Sequence, residues 1–353
     1  MSTTPMYATI ADLTGDAVLY RDLEPCDPNL PRLAELRARL RLPAGPPPRK
    51  RDAAYAGIVR ALADMMQAER GSGPLTAMAV IGDTENDRLL AAHLRQTSPL
   101  PAYAFIGEDR PVVPESLVWH GDTANATRWH LIHAWTAELD WRGVDWARTA
   151  VLIDIDKTLL GPRGRSDGAI DDARAEGAVA VAARLVPDLN VALFRRVYAE
   201  LCRRDWHSFT LDNQDYVVAT ALFIATGAIA LDDLRARLET GSLESFAAFL
   251  DLTGPTVHTA LAHLHAELRT LVAQGDPTPF KAFRRAELTS TLARMADGRL
   301  TLCGDVYHLC WNLAQRGALL LAASDKPAES AMPTAEQLAQ GLRPLHRTPA
   351  RVD

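Results

Sequence analysis

Ala150-Val151-Leu152-Ile153-Asp154-Ile155-Asp156-Lys157-Thr158 is the stretch on which the fold of this 353-residue chain turns. Four apolar residues, short enough for a buried strand, run straight into two aspartates set two apart. Side chains on a strand alternate, so Asp154 and Asp156 point the same way if the backbone stays extended. Carboxylates that close repel each other unless a cation lies between them. They also set a nucleophile beside an acid/base group in one short segment. Acidic residues after a strand can simply cap the next turn; the full pattern, closing on Thr158, favours chemistry over capping.

Working outward, positions 75–81 (LTAMAVI) and the run ALLLAAS ending at Ser324 read as further buried strands, each followed by polar residues. Shorter strands are expected at 7–14, 102–106 and 116–119, and helices at 52–69, 86–94, 126–139 and 306–315. The prolines of 42–48 exclude regular structure there. From 171 to 295 nearly everything has helical periodicity, and the tail beyond 333 holds one short helix and then frays. Strands alternating with helices imply an α/β fold, a Rossmann-like parallel sheet flanked by helices. The expected division is an α/β core of 1–162 and 301–353, with a large all-helical cap of 163–300 inserted after the Asp154 strand.

Two other segments end strands in chemically useful residues. In Ala79-Val80-Ile81-Gly82-Asp83-Thr84-Glu85-Asn86-Asp87, two carboxylates stand four apart after an apolar run. Carboxylate oxygens suit Mg²⁺, which keeps several waters and bridges to phosphate; an aspartate helix cap is the plainer alternative. In Leu319-Leu320-Leu321-Ala322-Ala323-Ser324-Asp325-Lys326-Pro327, a serine closes the strand and a lysine follows it. The whole chain has only four lysines, Lys50, Lys157, Lys281 and Lys326, so a reaction that needs one has few candidates.

The Asp154-x-Asp156-x-Thr158 pattern resembles the haloacid dehalogenase superfamily, whose phosphatases share it at the end of a strand. The resemblance implies that Asp154 attacks phosphorus to form an aspartyl-phosphate, that Asp156 protonates the leaving alcohol and later deprotonates water, and that Thr158 fixes the turn. It likewise implies Mg²⁺ held by Asp154, Asp83 and the carbonyl of Asp156, with Asp87 acting through water or by orienting the lysine. Ser324 would orient the phosphoryl group, and Lys50 would stabilise the charge beside the nucleophile, with Lys326 as the rival. The motif order departs from the family: the lysine and metal motifs precede the nucleophile strand and the Ser324 strand comes last. Read cyclically from 150 the usual order returns, as in a circular permutation, which compact domains with neighbouring termini tolerate.

The segment Gly161-Pro162-Arg163-Gly164-Arg165 is expected to be a flexible loop whose two arginines contact a phosphate or serve as a solvated hinge. The polar run at 207–216 is either pocket lining or helix capping, and the spacing of His258, His263 and His265 does not suit a metal. Net charge is −6, so no electrostatic grip on nucleic acid or on a membrane surface is expected. Four scattered cysteines without a CxxC pair imply reduced thiols, and the absence of a secretory pattern implies a cytoplasmic protein. The expected partner is a small phosphorylated metabolite, and a homodimer is compatible with the sequence. The expected function is Mg²⁺-dependent phosphate monoester hydrolysis, with a phosphomutase or phosphotransferase, or a catalytically silent binding protein, as alternatives.

Overall fold

The computed structural model describes residues 5–353. The chain up to Asp171, together with Thr291–Asp353, forms one compact unit, and Asp172–Ser290 forms a second. Nine strands belong to the first: β1 (Tyr7–Ala8), β2 (Val18–Leu19), β3 (Ala77–Gly82), β4 (Ala102–Gly107), β5 (Leu117–His120), β6 (Thr123–Ala126), β7 (Thr149–Ile153), β8 (Leu319–Ala323) and β9 (Ala350–Arg351). Seven make one sheet in the order β2-β8-β7-β3-β4-β6-β5. Every pairing in it is parallel except the β5–β6 hairpin at one edge. This is an α/β fold, compatible with a Rossmann-like architecture.

The central strands are apolar on both sides because helices cover both faces. Val80, Leu152 and Leu321 stand side by side in register and join a core with Leu33, Leu36, Ile58, Val59, Leu62, Leu90 and Leu94. Those partners come from helices Leu33–Leu40, Ala53–Glu69 and Glu85–Thr97. Against the other face, Phe105 of β4 meets Trp129 and Trp135 at ring distances of 6.2 and 5.8 Å, close to helix Ile132–Trp141.

The structure departs from expectation at the short elements. The strand expected at 7–14 is only Tyr7–Ala8, followed by a helical turn at Ala11–Thr14. The helix expected from 126 begins at Ile132, because Thr123–Ala126 pairs between β4 and β5. The tail does not fray: β9 pairs antiparallel with β1, Tyr7 opposite Arg351. No helix among the described residues is long and apolar enough to cross a membrane, and no disulfide joins the four cysteines.

The second unit is helical and packs around helix Gln214–Ala225, which is buried along most of its length. Inside it Arg284 donates to Asp215 and to Glu287, and Arg174 donates to Glu287 at 3.0 Å. The polar run at 207–216 is used for capping and pairing: Asn213 accepts from the Asp215 N–H, and Asp215 also accepts from the Phe280 N–H. His265 is buried and its Nε2 lies 2.7 Å from the carbonyl of Leu250.

Two helical glycines should respond oppositely to the same change. A Cβ on Gly177 would come within 2.7 Å of the backbone nitrogen of Glu287, whereas one on Gly57 would meet nothing within 4 Å. Gly57→Ala should raise stability by about 0.5–1 kcal/mol through helix propensity. Gly177→Ala should lower it by about 1–3 kcal/mol through backbone collision. Denaturant unfolding of the two variants measures both signs.

Candidate functional site

Strands β8, β7 and β3 are adjacent and parallel, and Ile153 lies in register with both Ala322 and Ile81. Their carboxyl ends therefore deliver Ser324, Asp154 and Asp83 to one edge of the sheet, the edge where open α/β sheets bind ligands. The Asp154 N–H donates to Ile81 at 2.9 Å, the last ladder bond of β7. The chain then coils: Leu160 N–H donates to Ile155, Lys157 N–H to Leu160, and Lys157 adopts φ +66°. Strand alternation thus stops at Asp154, and it is this turn that places Asp156. The Lys157 ammonium leaves the group for Asp171, 2.8 Å away.

Lys50, 3% exposed, donates to Asp154 and, at 2.8 Å, to Asp87. Asp87 does two jobs. Its Oδ1 takes Lys50, while its Oδ2 accepts from the N–H groups of Asp83 and Thr84 and from the Thr84 hydroxyl, forming the capping box of helix Glu85–Thr97. The carboxylate folds back so tightly that a Cβ on Gly82 would sit 2.3 Å from the Asp87 Cγ, which is why glycine precedes Asp83. Asp83 accepts from the Thr158 hydroxyl at 3.2 Å and from Arg163. Asp83, Asp87 and Asp154 each offer an oxygen within 4.8 Å of the others.

Asp156 stands outside that acidic set. Its Oδ2 accepts from Lys326 at 2.9 Å, and its buried Oδ1 has no hydrogen-bond partner among the described residues. The Lys326 N–H in turn donates to Ser324 Oγ at 3.1 Å. The two rival lysines are therefore both present, one on each aspartate of the Asp154 motif. Arg163 and Arg165 engage protein carboxylates: Arg165 donates to Asp109, Asp305 and Asp353. Nor is their segment a loose loop, since the Arg163 N–H donates to Lys157 at 2.8 Å and the Arg163 carbonyl accepts from Asp109 N–H and Trp129 Nε1. Sequence reasoning missed Asp325, which accepts from Arg49 at 3.3 Å and Asn86 at 3.4 Å, and Tyr55, whose buried hydroxyl has no partner among the described residues. The adjacency of Arg49 to Lys50 was the one available signal.

Burial pushes the Asp154 carboxyl well above the usual range, with Lys50 opposing and Asp87 and Asp83 adding to the rise. Burial also pushes Asp83 up to about 6 against the pull of Arg163. Asp87 is buried too, yet Lys50 and the bonds from Thr84 hold it low. Burial would lower Lys50, but Asp154 and Asp87 outweigh it and keep the ammonium charged. Three carboxylates face two cations, Lys50 and Arg163. The carboxylate oxygens could together hold a metal ion, with Asp154, Asp83 and Asp87 as the residues that would ligate it. Comparison with protein-family models, curated proteins and solved structures returned no match.

The raised carboxyls have a definite pH signature. For Asp83, a folded-state pKa raised from the ordinary 3.8 contributes stability that is complete below 3.8 and is lost as pH rises through about 6. A divalent cation bound there would displace the retained proton, so its affinity would rise over the same interval. Millimolar Mg²⁺ should raise Tm more at pH 7.5 than at pH 5, and Asp83→Asn should shrink that difference; differential scanning calorimetry reads both.

Proposed function

We propose that the chain is a Mg²⁺-dependent phosphate monoester hydrolase of the haloacid dehalogenase type, with Asp154 as nucleophile. The observation that carries this reading is the convergence of Asp154, Lys50, the Asp83–Asp87 pair and the Ser324–Lys326–Asp156 chain at the ends of three adjacent parallel strands. These residues come from positions 50 to 326, so their meeting is a property of the fold. The departure in motif order is no obstacle, because β1 and β9 bring the two described ends of the chain together.

Asp154 attacks phosphorus in line, the bond to the leaving oxygen breaks, and the departing alcohol takes a proton from Asp156. Asp156, now a carboxylate, removes a proton from water; that water attacks phosphorus, the acyl-phosphate bond breaks, and Asp154 is regenerated. Lys50 stays against the nucleophile and offsets charge built up there. Lys326 holds one oxygen of Asp156 and leaves the other for proton transfer. Ser324 Oγ, its lone pair taken by the Lys326 N–H, keeps its own hydrogen for a phosphoryl oxygen. Bound Mg²⁺ supplies charge neutralisation for the phosphoryl oxygens.

Phosphate release from a panel of phosphorylated metabolites tests the reading. Release should require Mg²⁺, fall by roughly 10³-fold or more in Asp154→Asn and by about 10²–10⁴-fold in Asp156→Asn. A folded, Mg²⁺-binding protein that releases phosphate from no substrate would sink the hydrolase reading.

A further inference from the structure

A second polar chain, buried at Tyr20 and His346, adjoins the segment that carries Ser324 and Lys326. Tyr20 follows β2, which runs parallel to β8 and ends at the edge where Ser324, Asp154 and Asp83 emerge. Its neighbours are strapped to the Ser324–Lys326 segment. The Leu19 carbonyl accepts from Ser324 N–H at 2.9 Å, Arg21 N–H donates to the Lys326 carbonyl at 2.9 Å, and Arg21 Nε donates to the Asp325 carbonyl at 2.9 Å. That segment carries the ammonium that holds Asp156. The Tyr20 side chain is 1% exposed.

Tyr20 Oη lies 3.3 Å from His346 Nδ1, and His346 Nε2 lies 3.1 Å from Asp16 Oδ1. The Arg347 guanidinium bonds both oxygens of Asp16 and holds that carboxyl below the usual range. An ionised carboxylate only accepts, so His346 Nε2–H is the donor to it. Burial lowers the imidazole pKa and keeps the ring neutral, which makes Nδ1 an acceptor and the Tyr20 hydroxyl its donor. The bonds therefore run in one direction, Tyr20 to His346 to Asp16. Buried polar groups cost desolvation that an apolar trio would avoid, so a chain joining residues 16–20 to 346–347 fixes a position more than it adds stability.

We propose that Tyr20, locked by His346 and Asp16, is a positioning residue for the acid/base half of the reaction. It fixes the Ser324–Lys326 segment so that Lys326 grips one oxygen of Asp156 and the other stays directed to the leaving group. This rests on the hydrolase reading above. The consequence is selective. An alkoxide leaving group needs its proton as it departs, whereas p-nitrophenolate leaves without one. Loss of alignment at Asp156 therefore falls on alkyl esters.

The test measures kcat and KM of the full chain with Mg²⁺ on an alkyl phosphate, β-glycerol phosphate, and on p-nitrophenyl phosphate, below the melting transition of every variant. In Tyr20→Phe the ratio of alkyl to aryl kcat should fall about tenfold with the alkyl KM little changed. Asp16→Asn, which leaves Tyr20 in place, should move the ratio the same way, and Asp156→Asn sets the full extent of the effect. Equal losses on both esters, or no loss, overturn the inference and leave the hydrolase reading standing. A wild type that hydrolyses only the aryl ester has no acid catalysis to position and also overturns it. A wild type that turns over neither ester, and releases phosphate from no member of the metabolite panel, overturns both.

Discussion

A lysine ammonium buried between two carboxylates organises the sheet edge of the α/β unit. Asp154 and Asp87 are both withdrawn from water, and Lys50 is the group that lets them stand together. Removing one partner from such a pair costs about 3–5 kcal/mol, because the charge left behind stays buried. The surrounding geometry follows from that demand. Lys50 is delivered from just ahead of helix Ala53–Glu69, whose first turns pack on the sheet through Tyr55, Ile58 and Val59. Asp87 reaches back across a glycine that leaves it room. Asp154 sits where β7 gives up its last ladder bond.

Chain order has little bearing on this arrangement. In a parallel sheet every carboxyl end lies on the same side, so what matters is that β8, β7 and β3 are neighbours. The order in which the chain visits them is a matter of how the connections run. With β1 beside β9, a cyclic shift of that order would leave the edge and its side chains where they are.

The sheet's middle was legible and its margins were not. Strands β3, β7 and β8 are fully buried apolar runs ended by polar residues, a signal that local sequence carries outright. Strand β6 reads Thr-Ala-Asn-Ala and has no such run; it exists because β4 and β5 offer it partners on both sides. β2 is two residues held by β8, and β9 needs β1 from the other end of the chain. In the site, the carboxylates, Ser324 and both lysines could be picked out by type and spacing. Their partners could not: the lysine that serves Asp156 is 170 positions away, and the tyrosine that meets His346 is 326 away. Arg163 and Arg165 could be read as ligand contacts or as a solvated hinge, because sequence displays charge without the carboxylates that pair with it.

The double duty of Asp87 bears on how such a site decays. One oxygen closes the capping box of helix Glu85–Thr97, and the other holds Lys50. Replacing an N-terminal capping interaction costs about 1 kcal/mol whether or not any chemistry is under selection. A lineage that ceased to need the proposed reaction would therefore shed Ser324 sooner than Asp87, since drift at position 87 is still opposed by the requirement to fold. Within any set of descendants, persistence of this aspartate speaks for the helix, and persistence of Ser324 speaks for the proposed reaction.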